Sequence, residues 1–217
     1  MVGGLNPSAV DLALKMGARV VWFPTISSRH HQEHQAAHPG LKFPKASMPL
    51  RKPDVVDILT ESGDLRPEVP VILQQIAEAG AVLAAGHMAP DRIQILLDAA
   101  RKAGVTRTIV NHPEYVIEAS REQVAKFADS GAIIEHECCM YDEDSEFHHW
   151  DTKALKGWID LVGPERSSIG SDLGQVDNPS PIDSFKKILG QLHDCGVSEN
   201  DLRKMVRDNP ARLLGLN

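Results

Sequence analysis

Five short apolar runs in the sequence each end in polar residues: Pro24-Thr25, Gly86-His87, Asn111-His112, Glu135-His136 and Ser171-Asp172. Three of these ends carry histidine and one carries aspartate. Imidazole nitrogen and carboxylate oxygen are the donors of a catalytic zinc-type site, which keeps one position open for water. A single histidine after a strand is ordinarily a hydrogen-bonded loop residue, and His87 alone would carry no more than that. His87, His112 and Asp172 hold the same place in their units, and that recurrence makes them candidate metal ligands. Asp172 is also suited to take up a proton as a general base. His136 is evenly balanced against Glu135 and Glu137, since any of the three could face the same point.

Other reactive side chains carry weaker signals. His30, His31, His34 and His38 crowd into nine residues. Their i, i+4 spacing would suit a metal on a helix. Pro39 and Gly40 argue against a long helix, so a solvated or substrate-facing loop is expected there. Cys138 and Cys139 read as buried loop residues, and His148-His149 as surface. The three cysteines form no even framework, as in a reducing compartment.

The elements that must position these residues follow one rhythm. An amphipathic helix stops at glycine, a β-branched strand follows, and a polar residue closes it. Asn6-Pro7 opens a helix to about Met16, and Arg19–Phe23 is a strand. Helices opened by Pro67 and Pro90 precede strands at Ala81–Ala85 and Arg107–Val110. Ser120 and Gln123 form a capping box for the next helix, ahead of Ala132–Ile134. A helix over Thr152–Val162 leads to Ser167–Ile169. Two helices close the chain, one from about Pro181 to Cys195 and one ending near Asn209-Pro210. Alternating strands and helices imply right-handed βαβ units and a parallel sheet, and the continuously apolar runs imply strands covered on both faces. In such proteins chemistry gathers at the carboxyl ends of the strands. Residues 26–66 break the rhythm as a long insertion or lid loop, with a small hairpin expected near Asp57–Leu65.

Apolar residues make up 42% and charged residues 24% of the 217, as in an ordinary globular domain, and no domain boundary shows. A net charge of −7 argues against nucleic acid or an anionic membrane as partner. No apolar run reaches the ~20 residues of a membrane helix, and no signal peptide is evident, so a cytoplasmic protein is expected.

The segments GGLNPSAVDLALKMGARVVWFPT, LAAGHMAPDRIQILLDAARKAG, TIVNHPE, SSIGSDLG and NPARLLGL resemble the amidohydrolase superfamily of metal-dependent (β/α)₈-barrel hydrolases. The resemblance covers nearly the whole chain outside 26–66. It implies that His87, His112 and Asp172 end strands five, six and eight of such a barrel. Glu135-His136 would end strand seven, and Trp22–Thr25 strand four. Two features depart from the pattern. There is no His-x-His pair of the kind the superfamily's first strand carries, and Thr25 stands where a Lys or Glu would bridge two metals.

The resemblance implies an α/β fold, a partial or N-terminally truncated TIM (β/α)₈ barrel of about five parallel β/α units in a single domain. It implies a hydrolase of amides, lactones or esters using a divalent metal, zinc first, with manganese, nickel or iron as the other candidates. His87, His112 and Asp172 would hold the metal, and Thr25, His30, His31 and His136 would meet a small-molecule substrate. Two alternatives share these motifs: a metal-dependent decarboxylase, and a non-catalytic partial barrel with a degraded metal site. A metal-free doubly wound protein binding a phosphorylated ligand is weaker, because no G-x-G-x-x-G follows any strand. Five strands cannot close an eight-stranded barrel, so open edges are expected, to be met by self-association into a homo-oligomer, by cover from residues 26–66, or by the missing strands of a longer protein.

Overall fold

The computed structural model describes residues 4–38, 48, 51 and 54–216. Five parallel strands run in the sheet order β1 (Val20–Trp22), β2 (Val82–Ala84), β3 (Thr108–Asn111), β4 (Ile133–Glu137) and β5 (Ser167–Gly170). Helices alternate with them, the arrangement of a partial (β/α)₈ barrel. The chain divides into two compact units, residues 4–108 with 114–119, and residues 109–113 with 120–216.

In the first unit α1 (Pro7–Lys15) starts where Asn6 accepts from the Ala9 N–H, 3.1 Å, with Pro7 in the first turn. Helices α3 (Glu68–Ala79) and α4 (Pro90–Lys102) bury Val69, Ile72, Leu73 and Ile76, and Ile93, Leu96, Leu97 and Ala100. Each set repeats at i, i+3, i+4, i+7, one stripe of a helix, and each large aliphatic side chain so buried is worth about 1.5–3 kcal/mol. All of β2 is buried, whereas β1 is only partly covered and Trp22 is exposed.

The 26–66 insertion holds more order than its composition suggests. Arg29–Ala37 is a helix, α2, capped by Ser28 and ending at His38, just before Pro39. The expectation of a loop fails because two of the four histidines, His31 and His34, are buried and supply the helix with its packed face. Leu59 bridges Leu65 in an antiparallel pair, where the hairpin was expected. Pro39 and Gly40 lie outside the described residues.

In the second unit the Ser120–Gln123 capping box forms with both its bonds and opens α5 (Arg121–Asp129). Helices α6 (Thr152–Val162) and α7 (Pro181–Asp194) follow β4 and β5. Two boundaries differ from the sequence expectation. β4 runs on to Glu137, because pairing with β5 extends through Glu137↔Gly170, so Glu135 and His136 lie inside the strand. The last helix does not stop at Asn209-Pro210. After α8 (Glu199–Arg203) a π turn over Lys204–Asp208 widens the spiral, and Pro210 then sits in the first turn of α9 (Asn209–Leu214), where its missing N–H costs nothing. Buried Asn209 donates through Nδ2 to the carbonyls of Ser167, 2.6 Å, and Pro164, 2.8 Å, tying α9 to β5.

Among the described residues no helix is long and apolar enough to cross a membrane.

Candidate functional site

His87 is placed by a close approach of two strand ends in the first unit. Phe23 N–H donates to Ala84 O, 2.9 Å, and His87 N–H to Pro24 O, 3.0 Å. Between them Gly86 turns with φ +67°, and a Cβ there would lie 2.4 Å from Pro24 O and 2.5 Å from Phe23 O. Only glycine tolerates both the dihedral and the contact.

Helix α2 docks beside this turn through its histidines. Ser28 Oγ accepts from the His31 N–H, 3.0 Å, and donates to the His87 carbonyl. The Nδ1 atoms of His31 and His87 are 2.8 Å apart, with ring planes 11° apart and centroids at 4.9 Å. That centroid separation leaves little more than a ring radius on either side of the nitrogen pair. The two Nδ1 atoms therefore lie near the line between the rings, edge to edge, sharing a proton rather than stacking face to face. His30 Nε2 bonds Ile117 O at 3.0 Å. His34 Nδ1 is 3.3 Å from Glu118 Oε1 and its ring meets the edge of Tyr115. Burial holds the His34 imidazole below its usual pKa, although Glu118 pulls it upward. The segment that receives α2 is strained: Val116 has φ +61° and Glu118 φ +55°, unusual for any residue and most of all for a β-branched one. Thr25 is half-buried at the end of β1, its carbonyl accepting from the Ser28 N–H at 2.8 Å.

In the second unit His112 follows β3 and Asp172 follows β5. Both sit in the left-handed region, at φ +28° and +47°. Such dihedrals are disfavoured for side-chain-bearing residues and collect at functional sites. His112 is buried, its N–H donating to Glu135 O at 2.7 Å. The Asp172 side chain keeps access to solvent at the rim, yet neighbouring atoms strip enough water from it to push its carboxyl pKa up, against the opposing pull of the His112 charge.

Strand register separates the three polar residues of β4. Asn111, Glu135 and Ser168 stand level across three strands, and Glu137 stands level with Gly170. Side chains alternate along a strand, so Glu135 and Glu137 share one face, and His136 takes the other, level with Ile169. His136 is fully enclosed there. The Glu137 carboxylate occupies the space a Gly170 Cβ would need. Asn111 donates through Nδ2 to the Glu135 carboxylate. The Asn111 Oδ1 and Ser168 Oγ atoms are buried without a hydrogen-bond partner among the described residues. Asn111 was not singled out from sequence. Its signal was present, one residue before His112 and two after Ile109 on the same face. The cysteines Cys138 and Cys139 are buried and form no disulfide, and His148 and His149 are exposed, as their contexts implied.

The donors suit a divalent metal in kind: nitrogen from His87 and His112, oxygen from Asp172. Among the described residues no group of three or more His, Cys, Asp or Glu side chains closes on one point. The fit is therefore one of donor chemistry, with His87 backed by His31 in one unit and His112 beside Asp172 in the other.

No curated protein matches the sequence. A family model described as a family of unknown function (DUF6282) matches residues 1–135. Among solved structures, an amidohydrolase from Pseudomonas aeruginosa is similar over 96% of this chain and 67% of its own, at 14% identity and TM-score 0.62. A phosphotriesterase homology protein from Escherichia coli, complexed with phosphate in its active site, is similar over 97% of this chain and 89% of its own, at 13% identity and TM-score 0.53. An amidohydrolase from Burkholderia multivorans with bound zinc is similar over 96% and 78%, at 12% identity and TM-score 0.53. At these identities the likeness is one of fold alone.

Proposed function

Since the chain belongs to DUF6282, a family of unknown function, we propose that it is a metal-dependent hydrolase on the amidohydrolase fold, acting on an amide, lactone or ester. The observation that carries the reading is the pair of strained strand ends. His112 and Asp172 both take left-handed backbone, at about 1–2 kcal/mol each by the usual cost for an L-residue. Backbone strain of this kind clusters at active sites and ligand clamps, and here it falls on two polar strand ends of one unit. The zinc in the Burkholderia multivorans structure and the phosphate in the Escherichia coli one support a hydrolytic metal site.

On this reading His112 offers imidazole nitrogen to a divalent ion, zinc first, with Asp172 as a further ligand, and His87 is the imidazole donor of the first unit. When bound, such an ion supplies a Lewis acid and lowers the pKa of water from about 15.7 towards 7. Asp172 takes the proton from the attacking water and delivers it to the leaving group. Burial raises its carboxyl pKa, the direction that suits a proton acceptor. The substrate is met by Thr25 and by His30 of α2, with small molecules as the class.

The test loads the purified chain with Zn²⁺ or Mn²⁺ and screens aryl esters, lactones and N-acyl amides. Asp172→Asn should lower any hydrolytic rate by about 10²–10⁴-fold, the usual worth of general acid–base catalysis. His112→Ala should lower bound metal measured by elemental analysis. Full activity in Asp172→Asn, or unchanged metal in His112→Ala, would refute these roles.

A further inference from the structure

We propose that Asn111, Glu135 and Ser168 form a separate metal site, set into the face of the sheet, for a hard divalent cation such as Mg²⁺ or Mn²⁺. The donors are the Asn111 Oδ1, the Glu135 carboxylate and the Ser168 Oγ. They come from three neighbouring strands of the second unit, and the register puts them level on one face: Asn111 of β3 beside Glu135 of β4, and Glu135 beside Ser168 of β5. Neighbouring strands lie about 4.7–4.9 Å apart, a span that side chains converging on one ion bridge with oxygen contacts of about 2.0–2.6 Å. The Asn111 amide already reaches the Glu135 carboxylate. The inference does not need the hydrolase reading, whose donors in this unit are His112 and Asp172.

Asn111 and Ser168 are each 1% exposed. The Asn111 Oδ1 and the Ser168 Oγ have no hydrogen-bond partner among the described residues. Burying a polar atom without a partner is costly, and such atoms ordinarily mark a bound water or ion. Glu135 is half-buried between the two. Its carboxylate meets the neutral Asn111 amide and, among the described residues, no cationic side chain. A water molecule would satisfy the two orphaned atoms but leave the carboxylate charge unbalanced, whereas a divalent cation answers all three. Carboxylate, amide carbonyl and hydroxyl oxygens suit Mg²⁺, Mn²⁺ and Ca²⁺; zinc sites draw mostly on nitrogen and sulfur. Three protein oxygens are enough for an ion such as Mg²⁺ that keeps several of its waters, and the exposed side of Glu135 leaves room for them. The Asn111 amide can present either end, because its χ2 torsion is broad and two-fold, so Oδ1 turns towards the ion without moving the strand. An ion held there ties β3, β4 and β5 together one residue before His112, whose N–H bonds the Glu135 carbonyl.

The test uses the full chain stripped of metal with EDTA, and Mn²⁺ as the probe. Binding is read from the electron paramagnetic resonance of the free ion, and stability from thermal unfolding with and without Mn²⁺. Both are measured in the unaltered chain and in Asp172→Asn, so that an ion held at the strand ends is told apart. In both, Mn²⁺ should bind and raise the unfolding midpoint. Glu135→Gln, which keeps the shape and removes the charge, should weaken binding by about 100-fold, and Ser168→Ala by about 10-fold, since ligand charge sets the affinity of such sites. Ser168→Ala also carries a readout of sign. Without metal it removes an unpartnered hydroxyl, so its midpoint should lie above that of the unaltered chain; in saturating Mn²⁺ the order should reverse. A lower midpoint for Ser168→Ala without metal, as for a hydroxyl bonded to a buried water, overturns the inference. So does an absence of Mn²⁺ binding, or binding that Glu135→Gln leaves unchanged. If binding is lost in Asp172→Asn and kept in Glu135→Gln, the ion belongs to the strand ends, and the inference falls while the hydrolase reading stands.

Discussion

Replacing Gly86 by alanine should damage the first unit far more than the same change at Gly80. Both glycines are left-handed, at φ +67° and +59°. An alanine pays about 1–2 kcal/mol for that conformation at either site. Their surroundings differ. At Gly80 a new Cβ meets nothing within 4 Å. At Gly86 it would meet Pro24 O at 2.4 Å, Phe23 O at 2.5 Å and the Phe23 carbonyl carbon at 2.9 Å. These are backbone atoms, so no side chain can swing away; the ends of β1 and β2 must part. Forcing a methyl into a packed site costs about 1–3 kcal/mol more. Gly86→Ala should therefore lose about 2–5 kcal/mol in all, and Gly80→Ala only the conformational part. Parting the strands also loosens the His87 N–H bond to Pro24 O, which orients the His87 ring. Urea unfolding of the two variants, followed by Trp22 fluorescence, would measure the difference. Equal losses, within about 0.5 kcal/mol, would show that the approach of the two strand ends is not tight and would remove the account of how His87 is placed.

Two further outcomes follow from buried charge. His34 has a folded pKa below its unfolded value of 6.5, so the unfolded chain binds its proton more readily; stability should hold above pH 6.5 and fall as the pH drops through the lowered folded pKa. His34→Phe should remove that slope in unfolding measured from pH 7.5 to 5, and an unchanged slope would assign it elsewhere. Burial pushes the Asp142 carboxyl up, but hydrogen bonds from Lys187 and the Asp144 N–H help to offset it, and its pKa is held down. Lys187→Met should therefore cost about 2–4 kcal/mol at pH 7, below the full range for a broken buried pair because the Lys187 side chain keeps 28% exposure. The loss should shrink below about pH 4, where Asp142 is protonated in the variant, and a pH-independent loss would point to packing instead.

The alternation of helix and strand was readable because its signals are local. Asn6-Pro7, the Ser120–Gln123 box and the apolar stripes of α3 and α4 act over three or four residues, and the structure keeps them all. The places of His87, His112 and Asp172 just past strand ends were legible for the same reason. What sequence could not decide depends on neighbours far along the chain. β4 reaches Glu137 only because β5 pairs with it, and that pairing sends Glu135 and His136 to opposite faces. A polar stretch with four histidines has no apolar stripe to announce a helix, yet α2 forms, since His31 and His34 find partners at His87 and Glu118 that make burying imidazole affordable. The left-handed backbone at His112 and Asp172 is likewise a tertiary product. No local preference selects it, and only packing on both sides of those residues sustains it.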